Sequence, residues 1–164
     1  MRGLSFTVGG ELYAVDVTLV QKVARKLAIT PVPSAPKEVI GIANLKGRVV
    51  TVLSLDKLLG TYDSCDMTSY VNTIVFKSSS GNEDQMGLAV EKPGNLIDIE
   101  NSAIRSPPAT ADNRESFCIS GVTEIEDSFY RIIDVDYILR KFTHSGDTNS
   151  ANTSYGGTEN DQSI

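Results

Sequence analysis

The residue types that most often carry chemistry are scarce in this chain. The single histidine, His144, follows the last apolar segment, whereas a Ser-His-Asp or Cys-His arrangement needs a base held in a packed pocket. The two cysteines, Cys65 and Cys118, are 53 positions apart, which is typical of neither a zinc site nor a disulfide framework. No GxxxxGK[ST] or GxGxxG phosphate-binding segment occurs. Asp and Glu are plentiful, so paired-carboxylate catalysis stays open as an alternative.

The composition indicates a folded chain with an acidic excess. Its 164 residues are 40% hydrophobic and carry 15 basic and 21 acidic side chains, for a net charge of −6. A net-acidic chain without a dense basic patch is not expected to bind nucleic acid. No run approaches 18 apolar residues and no signal-peptide pattern opens the chain, so we predict a cytoplasmic protein without membrane insertion. The charge is uneven: residues 1–60 carry +4 and residues 61–142 carry −7.

The elements that must position any site are short strands joined by tight turns. Apolar residues alternate with polar ones over residues 4–8, and Gly9-Gly10 then predicts a turn into a partner strand. Asp16 is expected to cap a short helical turn, and residues 23–27 read as extended. Three prolines between residues 30 and 36 predict a loop. Lys46-Gly47 predicts a second turn, followed by a β-rich segment and a capped helix that ends at Gly60.

Part of this pattern recurs later in the chain. At a shift of 80 positions Gly41 matches Gly121 and Asp56 matches Asp136, and both aspartates are expected to cap helices. A period this long indicates a duplication, and the many short strands favour two similar β-barrels of about 70 residues each. The loop from Ser106 to Glu115 is expected to hold the surplus length of the second half. We expect each half to form one barrel, so that the two barrels differ in charge. The polar composition of residues 143–164 predicts a disordered C-terminal tail.

Several segments, taken in order, resemble the CheW family of chemotaxis coupling proteins. The resemblance centres on Asn44-Leu45-Lys46-Gly47 with the strand that follows it, where the family has Asn-Leu-Arg-Gly. Further landmarks run in family order from residue 4 to residue 142: Tyr13-Ala14-Val15-Asp16-Val17, Thr30-Pro31-Val32-Pro33, Val39-Ile40-Gly41, Gly87-Leu88-Ala89-Val90-Glu91 and Ile133-Asp134-Val135-Asp136.

The resemblance implies a mostly β protein of two five-stranded, SH3-like barrels packed on a shared core, with short helices. Residues 1–142 are expected to form this CheW-like domain of two barrel subdomains. It also implies a non-catalytic, cofactor-free adaptor of a two-component system. Such an adaptor bridges the cytoplasmic tip of a methyl-accepting chemoreceptor to a CheA-type histidine kinase.

The family's functional positions can be carried over residue by residue. The predicted receptor-binding residues, in a groove between the barrels, are Val20, Lys22, Gly41, Asn44 and Lys46. The predicted kinase-binding residues are Val49, Val50 and Val52, with the reservation that these valines also suit a barrel core. For Gly41 and Gly121 we favour a conformational role through positive φ.

The chain departs from the family pattern at the predicted groove. Lys46 replaces an arginine and loses its planar fork of donors, and Lys22 stands where an acid is common. Two cations at these positions repel each other unless an anion or a carboxylate of the partner lies between them. An adaptor for a chemosensory system with another output, such as surface motility, therefore remains an alternative, as does a small β-barrel enzyme.

Overall fold

The structure, a computed structural model, describes residues 1–60, 70–78, 85–107 and 118–142. The predictions for Cys65, for His144, for most of the loop from Ser106 to Glu115 and for the tail at 143–164 lie outside these residues. The chain divides into two compact units, Met1–Asp134 and Val135–Ile164. In the second unit residues 135–142 are helical, and Arg140 Nε donates to the Asp136 carbonyl at 3.3 Å.

The described part of the first unit contains ten strands, which confirms the mostly β prediction. Their bounds are β1 Arg2–Val8, β2 Glu11–Asp16, β3 Val20–Ala28, β4 Val39–Leu45, β5 Arg48–Ser54, β6 Tyr70–Phe76, β7 Gln85–Val90, β8 Lys92–Asp98, β9 Ile119–Ile125 and β10 Ser128–Ile133. Short helical segments, Val17–Leu19, α1 Leu55–Leu59 and Asn101–Ala103, lie between them. The strands form two five-stranded sheets, sheet A in the order β8-β1-β2-β10-β9 and sheet B in the order β3-β6-β7-β5-β4.

Both sheets curl until their two edges meet. After β3, Thr30 exchanges two backbone hydrogen bonds with Ile42 of β4, with N···O distances of 2.8 and 2.9 Å. After β8, Arg105 and Val122 of β9 exchange the same pair of bonds, at 2.9 Å each. Each sheet therefore closes into a barrel, and closure leaves few unpaired strand edges at which another chain could add a strand.

The duplication is visible in the strand order, but its halves are not the barrels. Replacing each strand by the one five places later along the chain, cyclically, converts the order of sheet B into that of sheet A. Sheet A contains β1 and β2 from the first half and β8 to β10 from the second, while sheet B contains the five strands between them. The expectation of one barrel per half is therefore wrong, and the charge of a half is not the charge of a barrel.

Three of the two-residue turns have positive φ at both central residues, the geometry that matches the twist of a hairpin. They are Gly9-Gly10, Lys46-Gly47 and Glu126-Asp127. The predicted turns at 9–10 and 46–47 are confirmed, as is the helical turn capped by Asp16, whose Oδ1 accepts from the Thr18 amide at 3.0 Å.

Helix α1 corrects one capping prediction. Ser54, not Asp56, is the N-cap residue of α1, and its Oγ accepts from the Lys57 amide at 3.5 Å. Asp56 lies in the first turn, where its negative charge interacts favourably with the helix dipole. The helix ends as predicted at Gly60, which has a φ of +75°.

The barrel interiors hold the apolar residues that the alternation picked out. One cluster belongs to sheet B and consists of Ala24, Ala43, Val50, Val52 and Val75. A second belongs to sheet A and consists of Ala14, Ile99 and Ile132. β1 of sheet A also contacts β7 of sheet B. Within the described part of the chain, no buried side-chain nitrogen or oxygen lacks a hydrogen-bond partner.

Candidate protein-interaction surface

The β4–β5 turn carries two of the predicted receptor-binding residues. Lys46 has a φ of +52° and is exposed, so its side chain is free to meet a partner. Asn44 Oδ1 accepts from the Gly47 amide at 2.9 Å and thereby holds the turn closed. Asn44 thereby fixes the conformation of the turn that carries Lys46, and it is itself exposed.

Strand β3 carries two more of the predicted receptor-binding residues, one apolar and one charged. Val20, half-buried, begins the strand, and Lys22, exposed, lies opposite Val75 of β6. Between them Gln21 accepts a hydrogen bond from Gln85 of β7, which ties the start of β3 to the neighbouring strands. Lys22 therefore projects from a fixed strand rather than from a loop.

Gly41 is buried in β4, and it is needed there because it has no side chain, not because of its φ. Its φ lies outside the positive region, so the conformational explanation offered from the sequence is wrong. A Cβ atom at this position would come within 2.3 Å of the Thr30 carbonyl oxygen and 2.8 Å of Ile29 Cγ2. Gly41 lets β4 approach the segment after β3 closely enough to close the barrel.

Gly121 has the same function in sheet A. A Cβ atom there would lie 2.4 Å from Ile104 Cγ2 and 3.0 Å from the Arg105 carbonyl oxygen. The two repeats thus share a glycine at each closure point. Since Gly41 is buried, it does not line the predicted receptor-binding surface; it allows the strands beneath that surface to pack closely.

The three predicted kinase-binding valines divide into one exposed and two buried residues. Val50 and Val52 have no exposed surface and belong to the core cluster of sheet B. Because they are buried, their side chains cannot touch a partner in this fold. Both face the barrel interior because residues two apart on a strand point to the same face. Val49 points outward with 46% of its surface exposed, and it alone of the three stays a predicted contact.

Two features that sequence reasoning did not single out also bear on this surface. Between Ala24 and Leu27 the pairing of β3 with β6 shifts, and Lys26 in this bulge has a φ of +52°. Asn72 of β6 holds the bulge, since its Oδ1 accepts from the Lys26 amide at 3.1 Å and its Nδ2 donates to the Glu91 carbonyl at 3.2 Å. The sequence signal that could have indicated this bulge is Asn72 itself, because asparagine is depleted in β-strands.

Sheet A presents a different surface. A cavity of about 700 Å³ opens beside Phe129, whose side chain is 64% exposed, and Arg105 and Arg131 line it. Arg131 also pairs with Glu11 at 3.0 Å and lies over the ring of Tyr13. Burial raises the pKa of the Tyr13 hydroxyl above its usual value of 10.0, while Arg131 acts in the opposite direction.

The described residues contain no group of three or more His, Cys, Asp or Glu side chains that could hold a metal ion. The same residues include no helix long and apolar enough to cross a membrane. Cys118 is buried and is not part of a disulfide.

Comparison with known proteins decides the family. The model of the CheW-like domain matches residues 2–142, which include all ten strands of both sheets. The chain belongs to the CheW-like domain family. The resemblance seen at Asn44-Leu45-Lys46-Gly47 is thereby confirmed, as is the expected CheW-like fold.

Curated relatives and a solved structure agree with this membership. The chain is 28% identical over 138 residues to chemotaxis protein CheW of Bacillus subtilis, covering 83% of this chain and 85% of the relative. It is 28% identical over 141 residues to chemotaxis protein CheW of Thermotoga maritima, covering 85% and 88%. The crystal structure of the scaffolding protein TtCheW from Thermoanaerobacter tengcongensis superposes with a TM-score of 0.70 at 25% identity, covering 82% of this chain and 88% of that one.

Proposed function

We propose that the chain is a non-catalytic adaptor that couples the cytoplasmic tips of chemoreceptors to a CheA-type histidine kinase in the cytoplasm. The observation that carries the proposal is the CheW-like match over residues 2–142, which spans both barrels. A solved neighbour described as a scaffolding protein supports the same role. The adaptor's task is to hold the kinase beside the receptor so that the receptor's state biases autophosphorylation.

The receptor-facing side of this proposal uses exposed polar residues of sheet B. Lys22 and Lys46 supply side chains at the surface, Asn44 holds the turn, and Gly41 allows the barrel to close beneath it. Val20, half-buried at the start of β3, supplies apolar area next to them. The kinase-facing side uses Val49, an outward valine on a strand that both neighbours hold in place.

The proposal is tested by co-sedimentation with receptor-containing membranes and kinase. We expect the full chain to sediment with the membranes, to increase the kinase recovered with them and to change kinase autophosphorylation. A well-folded chain that does none of these three would refute the proposal. It would then favour another function on the same fold.

A matched pair of valine variants tests the kinase contact separately. Val49→Glu places a charge on an exposed valine of β5, and Val32→Glu does the same on a loop valine that is 40% exposed. We expect Val49→Glu to reduce kinase recovery several-fold while Val32→Glu leaves it unchanged. Equal losses in both variants, or none in either, would remove Val49 from the contact.

An adaptor for a chemosensory system with another output remains a second candidate, because Lys22 reverses the charge that is common in the family and Lys46 lacks the planar fork of the family's arginine. Measuring which response regulator receives phosphate from the coupled kinase separates the two outputs. Phosphate transfer only to a regulator of surface motility would favour the second.

A further inference from the structure

The cavity beside Phe129 lies on sheet A, and none of the predicted receptor- or kinase-binding residues lines it. Its lining comes from three neighbouring strands, β9, β10 and β2, and from the segment that follows β8. The cavity volume of about 700 Å³ falls within the range of about 300–1,000 Å³ that is usual for small-molecule sites. The side chains on these strands therefore indicate which ligand chemistry the cavity suits.

Strand register arranges this lining in two rows. In the first row Val122 of β9 lies opposite Arg105 on one side and opposite Arg131 of β10 on the other. In the second row, two residues further along β9, Glu124 lies opposite Phe129 of β10. Directly paired residues share a face of the sheet, as do residues two apart on a strand. The cations of the first row and the acid and the ring of the second therefore lie on one face.

One of the two cations already has an anionic partner. Arg131 donates to Glu11 of β2 at 3.0 Å. Arg105 and Glu124 are exposed, and neither forms an ion pair with another residue that the structure describes. Because Glu124 follows Val122 by two residues, it is the diagonal neighbour of Arg105, and such neighbours on a sheet are about 7–8 Å apart. A cation and an anion thus line one cavity with a short gap between them.

The ligand that matches this gap carries both charges on neighbouring atoms. An α-amino acid has its carboxylate and its ammonium on the same carbon, whereas a dipeptide separates them by a peptide unit. The guanidinium of Arg105 suits the carboxylate because its donors are arranged in a planar fork, and Glu124 can accept from the ammonium. A simple anion would gain from Arg105 but be repelled by Glu124. Phe129, 64% exposed, offers a ring against which an aromatic side chain can pack.

We propose that the cavity beside Phe129 binds a free aromatic α-amino acid, with its carboxylate on Arg105, its ammonium on Glu124 and its ring against Phe129. The inference goes beyond the adaptor function and does not depend on it. Ligand and adaptor partners meet different barrels, because the predicted receptor and kinase contacts are on sheet B.

Three related ligands test which charges the cavity recognises. The isotope-labelled full chain is titrated with L-tryptophan, with N-acetyl-L-tryptophan, which lacks the ammonium, and with L-tryptophanamide, which lacks the carboxylate, and its amide chemical shifts are followed by NMR. We expect L-tryptophan to bind saturably in the millimolar range and to shift the amides of Val122, Glu124 and Phe129. One exposed ion pair accounts for up to about fivefold in affinity, so each derivative should bind about three- to fivefold more weakly.

Matched variants assign each ligand charge to its residue. Glu124→Gln should weaken L-tryptophan about three- to fivefold without weakening N-acetyl-L-tryptophan, and Arg105→Gln should do the same for L-tryptophan against L-tryptophanamide. Glu126→Gln and Lys92→Gln are the controls, because they remove charges from exposed residues of sheet A that do not line the cavity. All four replaced side chains are exposed, so each variant should keep the wild-type circular dichroism spectrum, and the controls should bind within about twofold of wild type.

Several results would overturn the inference. They are the absence of saturable shifts with L-tryptophan, equal binding of the three ligands, and equal losses in the cavity and control variants. A dimer that Phe129→Ala dissociates and L-tryptophan leaves intact, as measured by analytical ultracentrifugation, would also overturn it, since a second copy would then cover Phe129. None of these measurements uses receptor or kinase, so a negative result leaves the adaptor function standing.

Discussion

Replacing Gly41 by alanine should damage the fold at the point where sheet B closes. The new Cβ atom would lie 2.3 Å from the Thr30 carbonyl oxygen, a backbone atom that cannot rotate away. Restoring an ordinary contact near 3.4 Å requires the segment after β3 to move by about 1 Å. The same movement stretches both hydrogen bonds between Thr30 and Ile42, now 2.8 and 2.9 Å long.

The size of this effect follows from two contributions. Overpacking costs about 1 to 3 kcal/mol, and weakening two backbone hydrogen bonds costs about 1 kcal/mol each. We therefore expect Gly41→Ala to lower the free energy of unfolding by about 3 to 5 kcal/mol and the Tm by about 10 °C or more. Positive φ contributes nothing, because Gly41 lies outside that region.

Urea unfolding followed by far-ultraviolet circular dichroism measures the loss, since the chain has no tryptophan to report by fluorescence. Gly121→Ala should cost a comparable amount, because its Cβ would meet Ile104 and Arg105 at the equivalent closure. Gly3→Ala is the control: the nearest atom is the flexible end of Ile99 at 3.0 Å. A loss below 1 kcal/mol for Gly41→Ala, or equal losses for Gly41→Ala and Gly3→Ala, would refute the closure argument.

Further perturbations test the core, the bulge and a buried hydroxyl. Val50→Ala should cost about 2 kcal/mol in urea unfolding, whereas Val49→Ala should stay within about 0.5 kcal/mol; similar values would contradict the assignment of their faces. Asn72→Ala should cost about 1 to 2 kcal/mol by removing the clamp on the bulge in β3, and faster amide exchange there would locate the effect. Because burial raises the pKa of the Tyr13 hydroxyl, this group loses its proton at a lower pH in the unfolded chain than in the folded one. The free energy of unfolding should therefore fall as the pH rises past about 10. Tyr13→Phe should flatten that fall, and an unchanged pH profile would count against the buried hydroxyl.

Local signals predicted the elements of this fold well. Glycine pairs, the Asp16 cap, the three prolines and the Gly60 stop each act within a few residues, and the structure bears them out. The strand exchange between the halves was not predictable in this way. It depends on which strands pair across long distances, and period-2 alternation carries no information about pairing partners.

The candidate surface was predicted less completely than the fold. Lys22, Lys46 and Val49 could be placed on the outside by family position, but the alternation of β5 already implied that Val50 and Val49 face opposite ways. The bulge that presents Lys26 depends on a contact with Asn72, 46 positions away along the chain. No local pattern encodes such a contact. The roles of Gly41 and Gly121 likewise depend on a strand approach that appears only once the barrel closes.

The exchange of strands also sets the order in which the protein can be built. Sheet B is one continuous stretch of chain, Val20 to Val90, so all its strands exist once synthesis has passed Val90. Sheet A begins with β1 and β2 but must wait for β8 to β10, nearly the whole length of the domain. During synthesis the hairpin of β1 and β2 therefore has unpaired edges until β8 to β10 have been made and sheet A is complete. Over that interval the unpaired edges of the hairpin are exposed to aggregation.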